Sequence, residues 1–137
     1  MRFEDSKYFK LITHKKVEFP FGNFYIADHF LISELYEGVH FDWSKIIQVI
    51  DYLYDYYGYH KKIGYVTNRV NSYSIEPQLW IRFYEEYNFI IATATVSYNN
   101  YNYANASIEK LFTKTSLKRC SNLDEAIEWI QNLKEFK

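Results

Sequence analysis

The sequence KKIGYVTNRVNSYSIEPQLW, residues 61–80, decides the fold that we expect for this chain. Its KIGYVT part is short, mostly apolar and rich in β-branched residues, as in a buried strand. Pro77 suits the first turn of a helix, where the missing N–H of proline is not needed. The polar stretch at 67–77 therefore joins a buried strand to a helix, and we expect Ser74 or Glu76 to cap that helix.

The alternation of strand and helix continues on both sides of this unit. Asp42 is expected to begin a helix that Gly58 ends in a left-handed conformation. The apolar residues of that helix recur every three or four positions, at Trp43, Ile46, Ile47, Ile50, Leu53, Tyr54 and Tyr57. Residues 89–96, FIIATATV, are apolar or small throughout, which is typical of a central parallel strand with helices on both faces.

The C-terminal part of the sequence predicts one more strand between two helices. We expect a short helix at 104–112 and then an edge strand at 116–120. Ser121 is expected to cap the last helix, with Asp124 three residues further on as in a capping box. The spacing of apolar residues predicts that this helix buries Leu123, Ala126, Ile127, Ile130 and Leu133.

The first 40 residues have the pattern of antiparallel strands. The β-prone segment at 9–19 is joined by the turn signal PFG at 20–22 to the segment at 23–38, in which Asp28 is expected to interrupt the strand. The whole order predicts an α/β fold: a single mixed sheet with an antiparallel N-terminal part and parallel βα units joined by right-handed crossovers, flanked by helices. No linker or repeat divides the chain, so we expect one domain over 1–137.

Composition excludes several classes of protein. Lys and Arg number 16 against 17 Asp and Glu, so the net charge of -1 gives no general attraction to nucleic acid. Cys120 is the only cysteine, which excludes an internal disulfide and a cysteine-based zinc site. The N-terminal residues do not have the pattern of a signal peptide, and no apolar run reaches the roughly 18 residues of a membrane span. We therefore expect a soluble cytoplasmic protein.

The sequence offers little for catalysis or for a cofactor. The four histidines are not at the short spacings of metal ligands. No G-x-S-x-G motif is present, and the four glycines do not form a phosphate-binding loop. Cys120 precedes the last helix without a partner base, and such a cysteine is usually a packing residue. We expect no metal, no cofactor and no enzymatic activity.

The first candidate site is the polar stretch after the predicted strand. Open α/β sheets place ligand sites at the carboxyl ends of parallel strands, and a helix N-terminus favours an anion. An arginine there adds a forked donor for phosphate or carboxylate. An alternative is that the stretch is a hydrogen-bonded turn that caps the next helix. The candidate residues for binding a partner or an anion are Asn68, Arg69, Asn71, Ser72 and Ser74.

A second candidate patch lies in the segment at 97–107, where tyrosines alternate with asparagines. Aromatic faces and side-chain amides bind small ligands, peptides or bases by stacking and hydrogen bonding. The alternative is a polar loop between a strand and a helix, with Asn105 as the cap. The candidate residues are Tyr98, Asn99, Asn100 and Tyr101.

Four segments taken in order, KKIGYVTNRVNSYSIEPQLW, FIIATATVSYNN, NASIEKLFTK and NLDEAIEWI, resemble the small bacterial STAS-like (SpoIIAA-like) proteins. The resemblance implies a mixed sheet flanked by helices, no catalysis, and binding of protein partners, sometimes of nucleotides or lipids. In anti-sigma factor antagonists of this group, a kinase phosphorylates a serine of a D-S-S-G motif just before a helix. Ser72 and Ser74 occupy the comparable loop here, although NSYS stands in place of that motif.

Two functions follow as hypotheses. The first is a non-enzymatic regulatory domain of STAS type that binds a protein partner and is switched by phosphorylation in the loop at 68–74. The second is a module that binds a small anionic molecule or a lipid in an aromatic-lined pocket, because the chain contains 15 Tyr, 11 Phe and 3 Trp. Neither hypothesis involves nucleic acid or a membrane span.

Overall fold

The computed structural model describes residues 1–136, whose strands form a six-stranded sheet in sequence order. The strands are β1 Lys15–Phe19, β2 Gly22–Ile26, β3 Phe30–Leu35, β4 Ile63–Arg69, β5 Ile90–Ser97 and β6 Ser116–Cys120. Strands β1 to β3 are antiparallel, and β3 to β6 pair in parallel. The predicted mixed α/β sheet is therefore confirmed, including the central position of β5 and the edge position of β6.

The helices are α1 Tyr8–Leu11, α2 Trp43–Tyr57, α3 Leu79–Glu86, α4 Asn100–Lys110 and α5 Leu123–Gln131, with 3-10 turns at Phe3–Asp5 and Lys134–Phe136. Both predicted ends of α2 are confirmed. The Asp42 carboxylate accepts the N–H of Lys45 at 3.1 Å, which satisfies a free amide of the first turn. Gly58 has a φ of 83°, a backbone conformation that glycine adopts without steric cost.

Three other helices differ from the prediction, two in their caps and one in its presence. The last helix is capped by Asn122, which accepts the N–H of Glu125, and not by Ser121. Helix α3 begins at Leu79 without a side-chain cap, so neither Ser74 nor Glu76 caps it. Helix α1 occupies part of the segment expected to be a strand. In each case the local residue preference was compatible with more than one position, and packing decided between them.

The start of α4 also differs from the prediction. It begins at Asn100, four residues before the predicted helix at 104–112. Its cap is Asn99, whose side chain accepts the N–H of Asn102 at 2.8 Å, and not Asn105. Most of the segment at 97–107 is therefore helix and not loop.

Each face of the sheet carries its own apolar core. On one face, Val66 of β4 packs with α5 and the N-terminal segment. On the other face, Tyr65 packs with the core that α2 and α3 cover. A Cβ atom at Gly64 would lie 2.9 Å from Ile130 Cδ1, so α5 packs directly on the backbone of β4. Because side chains alternate along a strand, successive residues of β4 enter different cores.

Candidate functional site

The candidate site lies where β3, β4 and β5 end side by side. The register pairs Ser33 with Thr67 across β3 and β4, and Arg69 with Ser97 across β4 and β5. Strand β4 runs to Arg69, two residues beyond the predicted strand, so Asn68 and Arg69 belong to the sheet and are buried. They point to opposite faces and make two separate polar clusters.

The first cluster, which we call the Asn68 cluster, joins the sheet to the N-terminus. Asn68 Nδ2 donates to Glu34 Oε2 at 2.7 Å and to the Met1 carbonyl at 2.9 Å. The Tyr98 hydroxyl donates to Asn68 Oδ1 at 2.8 Å, and the Phe3 N–H donates to Glu34 Oε2 at 2.7 Å. Every polar atom of the Asn68 side chain therefore has a partner within the protein.

Burial changes the acidity of two groups in the Asn68 cluster. It raises the pKa of Glu34 above its usual value, while the hydrogen bonds from Phe3 and Asn68 act in the opposite direction. It also raises the pKa of Tyr98 to about 12. The tyrosine therefore stays a neutral donor near pH 7, as its bond to Asn68 requires.

The second cluster, the Arg69 cluster, contains a buried ion pair. Arg69 is 3% exposed, and its Nη2 donates to Glu109 Oε1 at 2.8 Å. Trp80 Nε1 donates to the same oxygen at 3.1 Å. The guanidinium carbon lies 5.1 Å from the centre of the Tyr73 ring, and Asn102 Nδ2 donates to the Arg69 carbonyl at 3.3 Å. Strand β4, helix α3 and helix α4 thus meet at one charge pair.

Arg69 keeps its charge in this setting. Burial alone would lower its pKa, but Tyr73 and Glu109 beside it raise it. Burial raises the pKa of Tyr73 as well, so this hydroxyl is neutral. The positive charge of Arg69 is matched by Glu109, and its side chain is buried, so its binding of an anion stays a prediction.

The loop after β4 lies against the chain that precedes α2. Asn71 Nδ2 donates to the Leu35 carbonyl at 3.1 Å, and the Ser72 N–H donates to Glu37 Oε2 at 2.7 Å. Ser74 pairs with His40 in a parallel bridge, and its hydroxyl lies 2.7 Å from His40 Nδ1. Ser74 is exposed, whereas Asn71 and Ser72 are half-buried.

Two cavities adjoin the Arg69 cluster. The inner cavity, of about 70 Å³, lies between the sheet and helices α2 and α3, and is lined mainly by aromatic and aliphatic side chains with Thr67 and Arg69 among them. The outer cleft, of about 60 Å³, lies between the loop after β4 and α4, where Ser74 and Tyr101 are exposed. The two share the residues Arg69, Tyr73, Ile75 and Glu109.

Unsatisfied polar atoms concentrate in the same region. Within residues 1–136, the buried side-chain nitrogen and oxygen atoms without a hydrogen-bond partner all belong to β4, β5 or α4. They are Thr67 Oγ1, Arg69 Nε, Thr93 Oγ1, Ser97 Oγ, Asn102 Oδ1 and Glu109 Oε2. Glu109 Oε2 nevertheless lies 2.7 Å from Arg69 Nη2, and the hydroxyls of Tyr73 and Tyr84 lie near Thr67 and Thr93. Because most buried polar groups in proteins are paired, the atoms that remain mark positions for an ordered water or a ligand group.

Comparison with known proteins gives a fold. No protein-family model matches the sequence, and a search of curated proteins finds no match either. A solved structure that matches is an uncharacterised protein of the DUF3478 family, with a SpoIIAA-like fold, from Shewanella loihica PV-4. The match covers 87% of this chain and 93% of that one, with a TM-score of 0.54 and 11% sequence identity. The chain has a SpoIIAA-like fold.

The SpoIIAA-like fold brings the two candidate patches together at one end of the sheet. Tyr98 contacts Asn68 directly, and Tyr101 lines the outer cleft opposite Ser74. Asn99 caps α4, and Asn100 is the exposed first residue of that helix. The binding roles of all these residues stay predictions.

Sequence reasoning missed two members of the Arg69 cluster. Glu109 is 40 residues from Arg69, within α4, and the sequence pattern gave it no role. Trp80 packs in the core that α2 and α3 cover, and its indole N–H also donates to Glu109. A glutamate directly after Ile108 on a short helix was the only local signal, and it is not specific.

Among residues 1–136, no three His, Cys, Asp or Glu side chains come together as a metal ion requires. No helix in that range has the length and apolar character to cross a membrane.

Proposed function

We propose that this chain is a non-enzymatic regulatory domain of STAS type that binds a protein partner in the cytoplasm. Its recognition surface comprises the loop around Ser72 and Ser74 together with the exposed side of α4. The SpoIIAA-like fold supports this proposal, because it is the fold that the sequence resemblance implied. The observation that carries it is the row of exposed apolar side chains on α4, next to the loop.

The exposed side of α4 has the composition of an interface. Tyr101 is 57% exposed, and Ile108 and the adjoining Leu111 are 46% and 79% exposed. Residues seven and three positions apart lie near one another on a helix surface, so these side chains form one stripe. Contiguous exposed apolar side chains mark interaction surfaces, and tyrosine is enriched among residues that contribute strongly to binding.

Phosphorylation of Ser74 would switch this surface. A phosphate on Ser74 adds nearly two negative charges beside His40, whose ring already contacts the serine hydroxyl. Ser72 is the less suitable serine, because the Glu37 carboxylate that binds its N–H would repel a phosphate there. The added charge would lie at the rim of the outer cleft, opposite Tyr101.

Capture from the native lysate tests the partner surface. The wild-type chain is used as bait, the captured protein is purified, and its affinity is measured for two tyrosine variants. We expect Tyr101→Ala to weaken binding by roughly 30-fold, as for a central interface tyrosine. Tyr59→Ala is the matched control, because Tyr59 is 74% exposed and follows α2, before β4 begins. Equal affinity of both variants, or no captured protein, would contradict the proposal.

The phosphorylation switch has its own test. Intact-mass analysis of the protein from its native cell should show a fraction carrying one phosphate, located at Ser74 by peptide mapping. Ser74→Glu should then change the affinity for the captured partner, while Ser74→Ala should not. A chain that is unmodified under several growth conditions would remove the switch and leave the partner surface to be judged by the tyrosine variants.

A further inference from the structure

Strand β1 leaves one edge of the sheet open. It is the first strand of the sheet, so within residues 1–136 only the side towards β2 is paired. That pairing is regular over all five residues of β1, without a bulge, and Lys15, Lys16 and Glu18 are exposed. An open and regular edge can accept a further strand. Its free backbone groups and its charges decide which strand fits.

The hydrogen bonds at the two ends of the β2–β3 pair show which way the backbone groups of β2 point. The Tyr36 N–H donates to the Phe21 carbonyl at 3.0 Å, and the Ala27 N–H donates to the Phe30 carbonyl at 2.8 Å. In an antiparallel sheet, successive residues of a central strand bond to its two neighbours in turn. The odd-numbered residues of β2 therefore bond to β3, and its even-numbered residues bond to β1.

The register of the hairpin carries this alternation over to β1. The even-numbered residues of β2 lie opposite Lys15, Val17 and Phe19, which therefore bond to β2. Lys16 and Glu18 point their N–H and C=O groups away from the sheet. Neither has a backbone hydrogen bond outside the sheet within residues 1–136. Two residues of β1 thus offer two donors and two acceptors to an added strand.

The charges of these two residues favour a second copy of β1 as the added strand. Two antiparallel strands bond only where outward-facing residues of both lie opposite one another. In the two-fold register centred on Val17, Lys16 of each copy lies opposite Glu18 of the other, and opposite charges attract. The registers centred on Lys16 or on Glu18 place like charges opposite each other. Charge therefore selects one register.

Charged side chains on an edge strand often prevent pairing, so their arrangement matters. Lys16 Nζ lies 2.7 Å from Glu4 and 3.4 Å from Glu18 of its own chain. In the paired register it can keep Glu4 and exchange the longer contact for Glu18 of the second copy. The opposite edge lacks this complementarity, because β6 contains Lys118 and Arg119 without an acidic residue. Two copies of β6 would therefore repel each other.

The face of β1 towards α2 adds apolar contact. Val17 and Phe19 are half-buried and pack against the core that α2 and α3 cover. The Tyr52 ring of α2 lies beside them, with its centre 6.3 Å from that of Phe19. Tyr56, one turn further along α2, is 47% exposed. In the register centred on Val17, the two valines face each other between the two α2 helices.

We propose that two copies of this chain form a symmetric dimer by antiparallel pairing of their β1 strands. The two sheets become one continuous sheet, with the two-fold axis beside Val17. Lys16 and Glu18 exchange backbone hydrogen bonds across the axis and form two ion pairs. The dimer leaves the proposed partner surface free, because α4 packs on β5 and β6, towards the opposite edge. Each dimer therefore presents that surface twice.

Sedimentation equilibrium of the full chain tests the dimer. Between about 1 and 200 µM we expect a monomer–dimer equilibrium with a dissociation constant of roughly 10 µM, because an interface built on one strand is small. A chain that stays monomeric up to about 200 µM would overturn the proposal.

Charge variants test the register. Lys16→Glu and Glu18→Lys each place like charges opposite one another at both ion pairs, and each should raise the dissociation constant by roughly tenfold or more. An equimolar mixture of the two variants restores opposite charges at both positions and should dimerise as the wild type does. Lys118→Glu on β6 is the matched control and should leave the dissociation constant unchanged. A dimer that neither β1 variant weakens, or a mixture that stays monomeric, would contradict the register.

Amide hydrogen exchange locates the pairing independently of side-chain charge. The Lys16 and Glu18 N–H groups should exchange more slowly as the protein concentration rises, because only the dimer bonds them. The Val17 N–H bonds to β2 in both states and should be protected at every concentration. A dimer in which Lys16 and Glu18 exchange as fast as in the monomer would show that β1 is not the interface.

Discussion

Asn68 and Arg69 are neighbours in β4, yet the clusters around them differ in kind. All the polar atoms of the Asn68 side chain are bonded to Glu34, Met1 or Tyr98, and none of these residues lines the inner cavity or the outer cleft. Arg69 has a charge partner in Glu109 but leaves Nε unpaired beside two cavities. The alternation of strand side chains sends one residue to each core.

The difference separates a structural anchor from a site. The Asn68 side chain fixes the N-terminal segment on the sheet and has no donor left for a ligand. A buried charge pair with unsatisfied atoms lowers the stability of the free protein. A ligand in an adjoining cavity reduces this loss when it pairs with those atoms. Position at the end of a parallel strand therefore does not mark a site by itself, because the two clusters share that position.

Removal of the charge of Glu109 should produce the largest loss of stability. In Glu109→Gln the Arg69 guanidinium remains buried without a counter-ion, and we expect the free energy of unfolding to fall by about 3 to 5 kcal/mol. Urea denaturation measures this change. In an ¹⁵N-labelled sample, the N–H signal of the Trp80 indole is the one lost in Trp80→Phe. This signal should also move in Glu109→Gln, because the acceptor of the indole N–H is altered.

The matched control for this variant is Glu86→Gln. Glu86 pairs with Arg82 at 3.7 Å on the surface of α3, and both side chains are about half exposed. Such a pair contributes at most about 0.5 kcal/mol. If the two glutamine variants were equally stable, the Arg69 cluster would not differ from a surface ion pair.

The Asn68 cluster should be less costly to disrupt. Asn68→Ala removes three hydrogen bonds, but Glu34 keeps the bond from Phe3 and Tyr98 keeps a contact of 3.2 Å with the Met1 carbonyl. We expect a loss of about 2 kcal/mol in the free energy of unfolding, again from urea denaturation.

Two observations show whether this second effect is confined to its own face of the sheet. The Trp80 indole signal should remain at its wild-type position, because Trp80 belongs to the opposite core. Asn71→Ala, which removes one half-buried bond to the Leu35 carbonyl, should cost only about 1 kcal/mol. A moved Trp80 signal would mean that the two clusters are coupled through β4.

The sequence predicted the sheet better than the site, for a physical reason. Helix α2 and strand β5 have periodic patterns that depend only on near neighbours, and the Asp42 cap lies within four residues of its donor. The end of β4 was misplaced because Asn68 and Arg69 are polar and were assigned to the loop. Their burial depends on Glu34 and Glu109, which are 34 and 40 residues away.

The start of α4 shows a second limit of the same kind. The segment at 97–107 contains several asparagines, and each is a good helix cap by itself. Asn99 becomes the cap because Asn102 and Ala106 can then turn inward, where both are buried. The capping preference is the same for each of these asparagines, so it does not predict which one caps the helix. The packing of α4 on β5 decides between them.

The smallest effect concerns pH and again distinguishes the Asn68 cluster. Burial raises the pKa of Glu34 above its reference value of 4.5, so the folded protein holds this proton where the unfolded chain has already lost it. The resulting stabilisation is complete below the unfolded pKa and is lost as the pH rises through the folded one. Relative to Glu34→Gln, the wild type should therefore lose stability as the pH rises above the reference value of 4.5, as measured by urea denaturation. Asn68→Ala should steepen this loss, because the Asn68 N–H lowers the pKa of Glu34. If the stability difference between wild type and Glu34→Gln stays constant as the pH rises, burial does not raise the pKa of Glu34. The carboxylate of the Asn68 cluster would then be compensated by its surroundings, as Glu109 is compensated by Arg69 in the Arg69 cluster.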